Sequence, residues 1–172
     1  MILSVHATFG AAVASLVPSH PVLGFVLGFT SHFVLDAIPH RDYDLISTET
    51  GPDKKLKLID LIQKKFGLIR DIMVVSFDAL IGLSLAFLFF FDPVHPWIFF
   101  IGAISSLIPD GLTFLYLLFK HKSLTSFFNF HVDRVHTKFI LKLDQVTGVL
   151  FQFFTIGVLI VVIVLVRYFL FL

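Results

Sequence analysis

The most constraining feature of this sequence is a set of five long apolar segments separated by short turns or polar loops. They cover approximately residues 2–17, 22–38, 72–91, 97–119 and 146–172. A helix needs about 20 apolar residues, within a range of about 17–25, to cross a bilayer. The pattern therefore predicts an all-α polytopic membrane helix bundle with four or five transmembrane helices. Because the first segment is short, a re-entrant hairpin of the first two segments is the alternative.

Composition supports a membrane protein and excludes several other classes. Hydrophobic residues make up 57% of the chain and charged residues 15%, whereas soluble domains average about 45–50% and about 25%. A soluble enzyme is therefore excluded as an interpretation. The chain has no cysteine, which rules out disulfides and thiolate ligands. Its net charge of +1 gives no reason to propose nucleic acid as a partner.

The basic residues predict how the chain is oriented. Twelve of the thirteen Lys and Arg residues fall in the two long loops, and the Pro-bounded turns at 18–21 and 92–96 contain none. By the positive-inside rule, the N-terminus and both long loops are cytoplasmic. We expect a multi-pass protein of the inner (plasma) membrane, with membrane lipids as partners. Lysines beside an apolar stripe at 54–66 predict an interfacial amphipathic helix, and residues 123–142 are a second candidate.

Two pairs of short motifs suggest an internal duplication. His6-Ala7-x-x-Gly10 matches Asp78-Ala79-x-x-Gly82, and Gly28-x-x-Ser31-x4-Asp36 matches Gly102-x-x-Ser105-x4-Asp110. We interpret residues 1–172 as one membrane domain of two helix-hairpin repeats and one extra helix. The parts are repeat 1 (about 1–44), a loop (45–69), repeat 2 (70–119), a loop (120–145) and the last helix (146–172). The repeats should superpose with His6 over Asp78 and Asp36 over Asp110.

Ionisable residues inside or at the ends of the apolar segments are the candidates for chemistry, because a charge at mid-membrane costs about 2.5–3.5 kcal/mol. His32 and Asp36 are four residues apart and share a helix face. Imidazole and carboxylate without sulfur suit a divalent metal ion, with zinc preferred to manganese or iron. We predict the ligands His6, His32, Asp36 and Asp110, and Asp78 or His40 as general base. For each residue alone, the alternative is a polar contact that locks two helices together.

A further polar stretch lies in the second long loop, at residues 130–136. On an α-helix His131 and His136 would lie about 140° apart, too far to share one ion comfortably. Asp133 and His136 are three residues apart and could share one. We prefer to interpret the stretch as an interfacial helix with a polar face.

Three of these motifs resemble those of a known family. They are His6-Ala7-x-x-Gly10, Gly28-x-x-Ser31-His32-x3-Asp36-x2-Pro39 and Gly102-x5-Ile108-Pro109-Asp110. They look like the membrane-bound metal-dependent hydrolase family of small polytopic bacterial and archaeal proteins. The resemblance covers residues 1–115 and implies metal-dependent hydrolysis.

The predicted function is a membrane-embedded metal-dependent hydrolase at the cytoplasmic membrane face. Its substrate would be a lipid phosphoester or a similar amphiphile. One alternative is a small proton- or ion-coupled transporter, because buried Asp and His pairs in two-helix repeats serve ion coupling equally well. Another is a non-catalytic membrane scaffold whose buried polar residues only fix helix packing.

Overall fold

The chain folds into a bundle of helices, as the apolar segments predict. The structure, a computed structural model, describes residues 1–38, 40, 42–50, 56–58, 65–135 and 145–171. Five of the helices correspond to the five apolar segments, namely α1 (Leu3–Ala14), α2 (Pro21–Asp36), α3 (Lys65–Phe90), α4 (Ile98–Phe119) and α6 (Gln145–Phe171). The all-helical fold class is thereby confirmed.

Two short strands interrupt the long loop between α2 and α3. Strand β1 (Thr48–Thr50) pairs antiparallel with β2 (Leu56–Leu58), with Thr48 opposite Leu58. The prediction of a surface helix at 54–66 is therefore wrong at Leu56–Leu58. These three residues alternate apolar and charged types with the period of a strand, and a local partner satisfies their backbone. Residues 59–64 of that prediction lie outside the described residues.

Three of the described helices are long and apolar enough to cross a membrane. The candidate spans are Phe66–Phe90, Ile98–Phe119 and Val146–Phe169. Large apolar side chains are exposed along them, for example Phe77 (67%), Leu88 (71%) and Phe154 (70%). Water-facing surfaces rarely carry so much contiguous apolar area. This exposure is consistent with membrane insertion.

Helices α1 and α2 are shorter and form a hairpin in which α1 is enclosed by the bundle and α2 has an exposed face. With 12 and 16 residues, they are about 18 and 24 Å long at 1.5 Å per residue, below the roughly 30 Å of a hydrocarbon core. α1 packs against α2, α3, α4 and α6, and ten of its residues are buried. The first predicted segment is thus a central, enclosed helix. Superposition of this hairpin on α3–α4 stays a prediction.

Small residues bring α1, α2 and α4 into close contact. A Cβ atom added at Gly10 would meet the backbone oxygen of Gly102 and the side chain of Ser106, and one added at Gly28 would meet Ser105 and Gly102. Close backbone approach of this kind is how small residues promote helix packing in membranes. Because the polar residues of α1, α2 and α4 lie just beyond these contacts, the glycines set the distances within the site.

Gly10→Leu should destabilise the fold, because its side chain would collide with the α4 backbone. Overpacking typically costs about 1–3 kcal/mol, and each kcal/mol lowers the Tm of a protein of this size by about 2–4 °C. Thermal unfolding in detergent, followed by circular dichroism, measures the change. Gly157→Leu on α6 is the control, since a Cβ there meets nothing within 4 Å. Equal Tm values for the two variants would contradict the packing argument.

After α4 the chain reverses and returns to the bundle. Lys120 ends α4 in the left-handed conformation, with φ 48°. A 3-10 turn (Lys122–Leu124), helix α5 (Thr125–Phe128) and a π-helical stretch (Asn129–Val135) follow. We call residues 122–135 the returning segment. Its helical content agrees with the predicted helix at 123–142 over the described residues, but His131 in it is buried.

Candidate metal centre

Four elements bring five ionisable side chains together between the helices. They are His6 on α1, His32 and Asp36 on α2, Asp110 on α4 and His131 on the returning segment. We call these five residues the His/Asp cluster. The structure thus brings together all four residues predicted as metal ligands, together with His131. Their assignment as ligands stays a prediction, whereas their convergence is a feature of the fold.

The Asp36 carboxylate lies at the centre of the His/Asp cluster. Its Oδ1 is 3.1 Å from His6 Nε2, and its Oδ2 is 3.0 Å from His32 Nε2 and 3.1 Å from His131 Nε2. Asp110 Oδ1 lies 3.7 Å from His32 Nε2 and 3.9 Å from His131 Nε2. Ligands of one Zn²⁺ ion, each about 2.0–2.2 Å from it, lie about 3–4 Å apart.

Two overlapping groups have the geometry of a metal site. His6, His32 and Asp110 form one group, and His32, Asp36 and His131 form the other. Within each, one potential ligand atom per residue lies within 4.8 Å of the others. These buried His and Asp groups could therefore hold a metal ion.

The hydrogen bonds of the imidazoles show why a cation fits there. His32 Nδ1 is 2.8 Å from the Ser106 carbonyl oxygen, which can only accept a hydrogen bond. In neutral His32 the proton is therefore on Nδ1, and the Nε2 lone pair faces Asp36 Oδ2 and the His131 Nε2 atom at 2.9 Å. These atoms need a proton or a cation between them, which either the Nε2–H tautomer of His131 or a metal ion would supply.

His6 gives a second, independent indication. Its side chain is fully buried. Nδ1 has no hydrogen-bond partner among the described residues, and Nε2 lies 3.1 Å from Asp36 Oδ1 without the angles of a hydrogen bond. Its ring stacks on that of His32 with the centroids 4.0 Å apart. Buried polar atoms normally have a partner, and Nε2 of His6 already lies next to the Asp36 carboxylate. An ion coordinated by Nε2 would satisfy this atom.

Neighbouring groups fix the orientation of the ligands. His131 Nδ1 is 2.7 Å from Thr113 Oγ1, and Ser106 Oγ donates to the His6 carbonyl at 2.8 Å. Phe33 and Phe127 pack against the His131 ring. Partners on the second ring nitrogen and an apolar surround are typical of metal-binding histidines.

The cluster is closed on most sides and open on one. His6, His32, Asp36 and His131 are at most 1% exposed, whereas the Asp110 side chain is 30% exposed. A Cβ added at the adjacent Gly111 would meet nothing within 4 Å. Access therefore runs past Asp110. Structural zinc sites are closed, whereas catalytic sites keep one position open.

The two predicted general bases lie outside both groups. His40 is buried, with Nδ1 2.7 Å from the Ile38 carbonyl oxygen and Nε2 3.1 Å from Asp42 Oδ1. Asp78 accepts hydrogen bonds from the Ser4 N–H at 2.8 Å and from the Tyr43 hydroxyl. Asp78 therefore contacts the first turn of α1, the helix that carries His6. A catalytic role for either residue stays a prediction.

Tyr43 gives a pH-dependent test of this contact. Burial and the hydrogen bond to Asp78 raise the pKa of the Tyr43 hydroxyl above its usual 10.0. Because the folded-state pKa exceeds the unfolded one, its contribution to stability is complete below about pH 10 and is lost as the pH rises through the folded-state pKa. Between about pH 9 and about pH 11, chemical denaturation should show a larger loss of stability for the wild type than for Tyr43→Phe.

Tyr168→Phe is the matched control, because the Tyr168 side chain is 59% exposed on α6. This variant should keep the alkaline loss of stability seen in the wild type. The same pH dependence in the wild type and Tyr43→Phe would show that the Tyr43 hydroxyl has an ordinary pKa.

His131 is the member of the cluster that sequence reasoning missed. Its placement on the polar face of an interfacial helix is wrong, because its side chain is only 1% exposed and contacts Asp36. Its local sequence carried a signal, since Phe127, Phe128 and Phe130 precede it and the charged residues come only afterwards. His136, which the sequence pairs with Asp133 as a possible ligand pair, lies outside the described residues.

No protein-family model, curated protein or solved structure matches the chain. The metal-dependent hydrolase resemblance therefore rests on the three sequence motifs alone.

Proposed function

We propose that the protein is a metal-dependent hydrolase of the plasma membrane that cleaves a lipid phosphoester or similar amphiphile from the cytoplasmic side. The observation that carries this proposal is the convergence of three imidazole Nε2 atoms on the Asp36 carboxylate, with Asp110 on the open side. Each candidate group has two histidines and one carboxylate, and three protein ligands beside an accessible side resemble catalytic rather than structural zinc sites.

The donor set supports a divalent ion, and Zn²⁺ is proposed first, with Mn²⁺ or Fe²⁺ as alternatives. When bound, such an ion supplies Lewis acidity to a phosphoryl or carbonyl oxygen and lowers the pKa of water. His32 would hold it together with either His6 and Asp110 or Asp36 and His131, the two groups whose potential ligand atoms lie within 4.8 Å of one another. Asp36 and Asp110 would add carboxylate oxygens and neutralise its charge. Ser106 and Thr113 keep the rings of His32 and His131 in place through Nδ1.

The direction of access supports an amphiphilic substrate. The cluster lies where α1 begins and α2 ends, away from the Pro-bounded turns and on the side of the basic loops. Basic residues near an anionic bilayer attract lipid headgroups, at about 1 kcal/mol each. A substrate that carries its own acyl chain can approach Asp110 between lipid-facing helices. Asp78 and His40 are the proposed general bases.

Metal-dependent turnover tests the proposal. The protein in lipid nanodiscs is stripped with a chelator and then given Zn²⁺, Mn²⁺ or Fe²⁺ singly. Release of nitrophenol from a nitrophenyl phosphodiester with a long alkyl chain measures hydrolysis. We expect turnover only with added metal and none in His32→Gln. The control His20→Gln, at an exposed histidine, should retain full activity.

Other outcomes favour the alternatives. Bound metal without hydrolysis, together with metal- or proton-dependent flux in liposomes, would favour a transporter. Absence of stoichiometric metal and of flux in the wild-type protein, with lower thermal stability in His32→Gln, would favour a scaffold role.

A further inference from the structure

A second group of side chains lies at the other end of the bundle, in the two Pro-bounded turns. The turn after α1 carries Ser19, and the turn between α3 and α4 carries Asp92 and His95. Ser19 Oγ is 3.3 Å from His95 Nε2, and His95 Nδ1 is 3.3 Å from Asp92 Oδ2. A serine, a histidine and a carboxylate from two turns thus form a continuous chain of contacts.

The contacts run from the Ser19 hydroxyl to the His95 imidazole and on to the Asp92 carboxylate, which is the order of groups that activates a serine nucleophile. Val94 N–H donates to Asp92 Oδ1 at 2.9 Å, and this bond is the main cause of the lowered pKa of Asp92. In the His95 tautomer that carries its proton on Nδ1, this N–H donates to the Asp92 carboxylate. The lone pair on His95 Nε2 then faces the Ser19 hydroxyl. Nucleophile, base and orienting carboxylate therefore follow one another in the order that nucleophilic catalysis requires, with both contacts at 3.3 Å, slightly longer than in a fully formed catalytic pair.

A groove for a substrate lies beside Ser19. Its volume is about 470 Å³, and its lining residues are Ser19, His20, Pro21, Val22, Leu23 and Val26. Val22, Leu23 and Val26 are 78%, 45% and 49% exposed, which makes one wall of the groove apolar and accessible. An acyl chain fits such a wall.

The same groove offers hydrogen-bond donors for a developing negative charge. It lies at the N-terminus of α2, whose first turn has no side-chain cap. The N–H groups of Val22 and Leu23 belong to this turn, and no partner for them is found among the described residues. Free N–H groups at a helix N-terminus stabilise anions, and donors of this kind form oxyanion holes.

We propose that Ser19, His95 and Asp92 form a serine esterase site for carboxylic esters of amphiphiles, separate from the His/Asp cluster. Ser19 Oγ bonds to the ester carbonyl carbon while its proton moves to His95 Nε2. The bond to the alcohol oxygen then breaks, and His95 gives the proton to the leaving alcohol. Water, deprotonated by His95, attacks the acyl-Ser19 ester, which releases the carboxylic acid and restores the Ser19 hydroxyl.

The protein contains a second serine–histidine pair, His121 and Ser123, that serves as an internal control for this site. His121 Nδ1 is 2.7 Å from Ser123 Oγ, and both residues are exposed. His121 has no carboxylate partner on its other nitrogen within the described part of the chain. Ser123 therefore has a neighbouring histidine without the orienting group, and we expect it to be unreactive.

A fluorophosphonate probe applied to the protein in nanodiscs tests the site, with the modified residue located by mass spectrometry. We expect labelling at Ser19, none in Ser19→Ala and unchanged labelling in Ser123→Ala. His95→Gln should slow labelling by about 10²-fold or more, since a general base contributes about 10²–10⁴-fold. Asp92→Asn, which can still accept the Val94 N–H, should slow it as well.

The result that overturns the proposal is an unlabelled Ser19, or labelling at a rate that does not change in His95→Gln. Thermal unfolding of each variant shows whether it is folded. Labelling in the presence of a chelator and in His32→Gln separates this site from the metal-dependent one, because both should leave Ser19 reactive. Loss of metal-dependent turnover would thus leave this result unaffected.

Discussion

Asp36→Asn should abolish tight metal binding. The substitution keeps the size of the side chain but removes the negative charge that three imidazole nitrogens face at 3.0–3.1 Å. Loss of one partner of a buried ionic interaction costs about 3–5 kcal/mol. Since about 1.4 kcal/mol corresponds to a factor of ten, we expect the Kd to rise by roughly 10²- to 10⁴-fold. Competition with a chromogenic chelator measures the Kd, and elemental analysis gives the stoichiometry.

Asp92→Asn is the matched control, because it makes the same chemical change in a turn at the opposite end of the bundle. It should bind metal like the wild type and show slower Ser19 labelling, whereas Asp36→Asn should show weak metal binding and normal Ser19 labelling. An Asp36→Asn protein with wild-type metal content would show that the carboxylate serves only helix packing.

His131→Gln should weaken metal binding by a similar factor, although His131 is absent from the three sequence motifs. Its Nε2 atom lies 3.1 Å from Asp36 Oδ2 and 2.9 Å from His32 Nε2, so a bound ion would lose one nitrogen ligand. Glutamine is close in size but offers an amide in place of the imidazole nitrogen. We expect the Kd for Zn²⁺ to rise by about 10²-fold. This is the largest loss of metal affinity that is usual when even a group that only orients a metal ligand is removed.

The control His121→Gln lies on the same chain reversal but is exposed. Its metal affinity should equal that of the wild type. If His131→Gln bound Zn²⁺ normally while His6→Gln did not, the ion would be held by His6, His32 and Asp110, the group that excludes His131.

Much of the fold could be predicted from hydropathy because burial in lipid requires long apolar helices. The five segments correspond to α1, α2, α3, α4 and α6. The predicted ends of the helices differ from the observed ones where a helix continues into polar residues. α3 begins at Lys65, seven residues before the predicted start, because backbone hydrogen bonding does not depend on the hydropathy of the side chains.

Most of the candidate site could also be predicted, because an ionisable residue in an apolar helix must find a partner. This reasoning selected His6, His32, Asp36 and Asp110, and the structure brings them together. It could not find His131, whose position depends on tertiary structure. The reversal after α4 requires a positive φ at Lys120, a residue type that rarely adopts it.

The order of the ligands along the chain has a consequence for biogenesis. Membrane chains are made from the N-terminus, so α1 and α2 emerge first, yet their buried polar side chains meet Asp110 and His131 only after most of the protein exists. Until the returning segment has been synthesised, the α1–α2 hairpin carries two histidines and a carboxylate without their full set of partners. Binding of an ion would then mark completed assembly. In a chain truncated before residue 131, the buried polar side chains of the α1–α2 hairpin would lack partners, and quality-control proteases could recognise it.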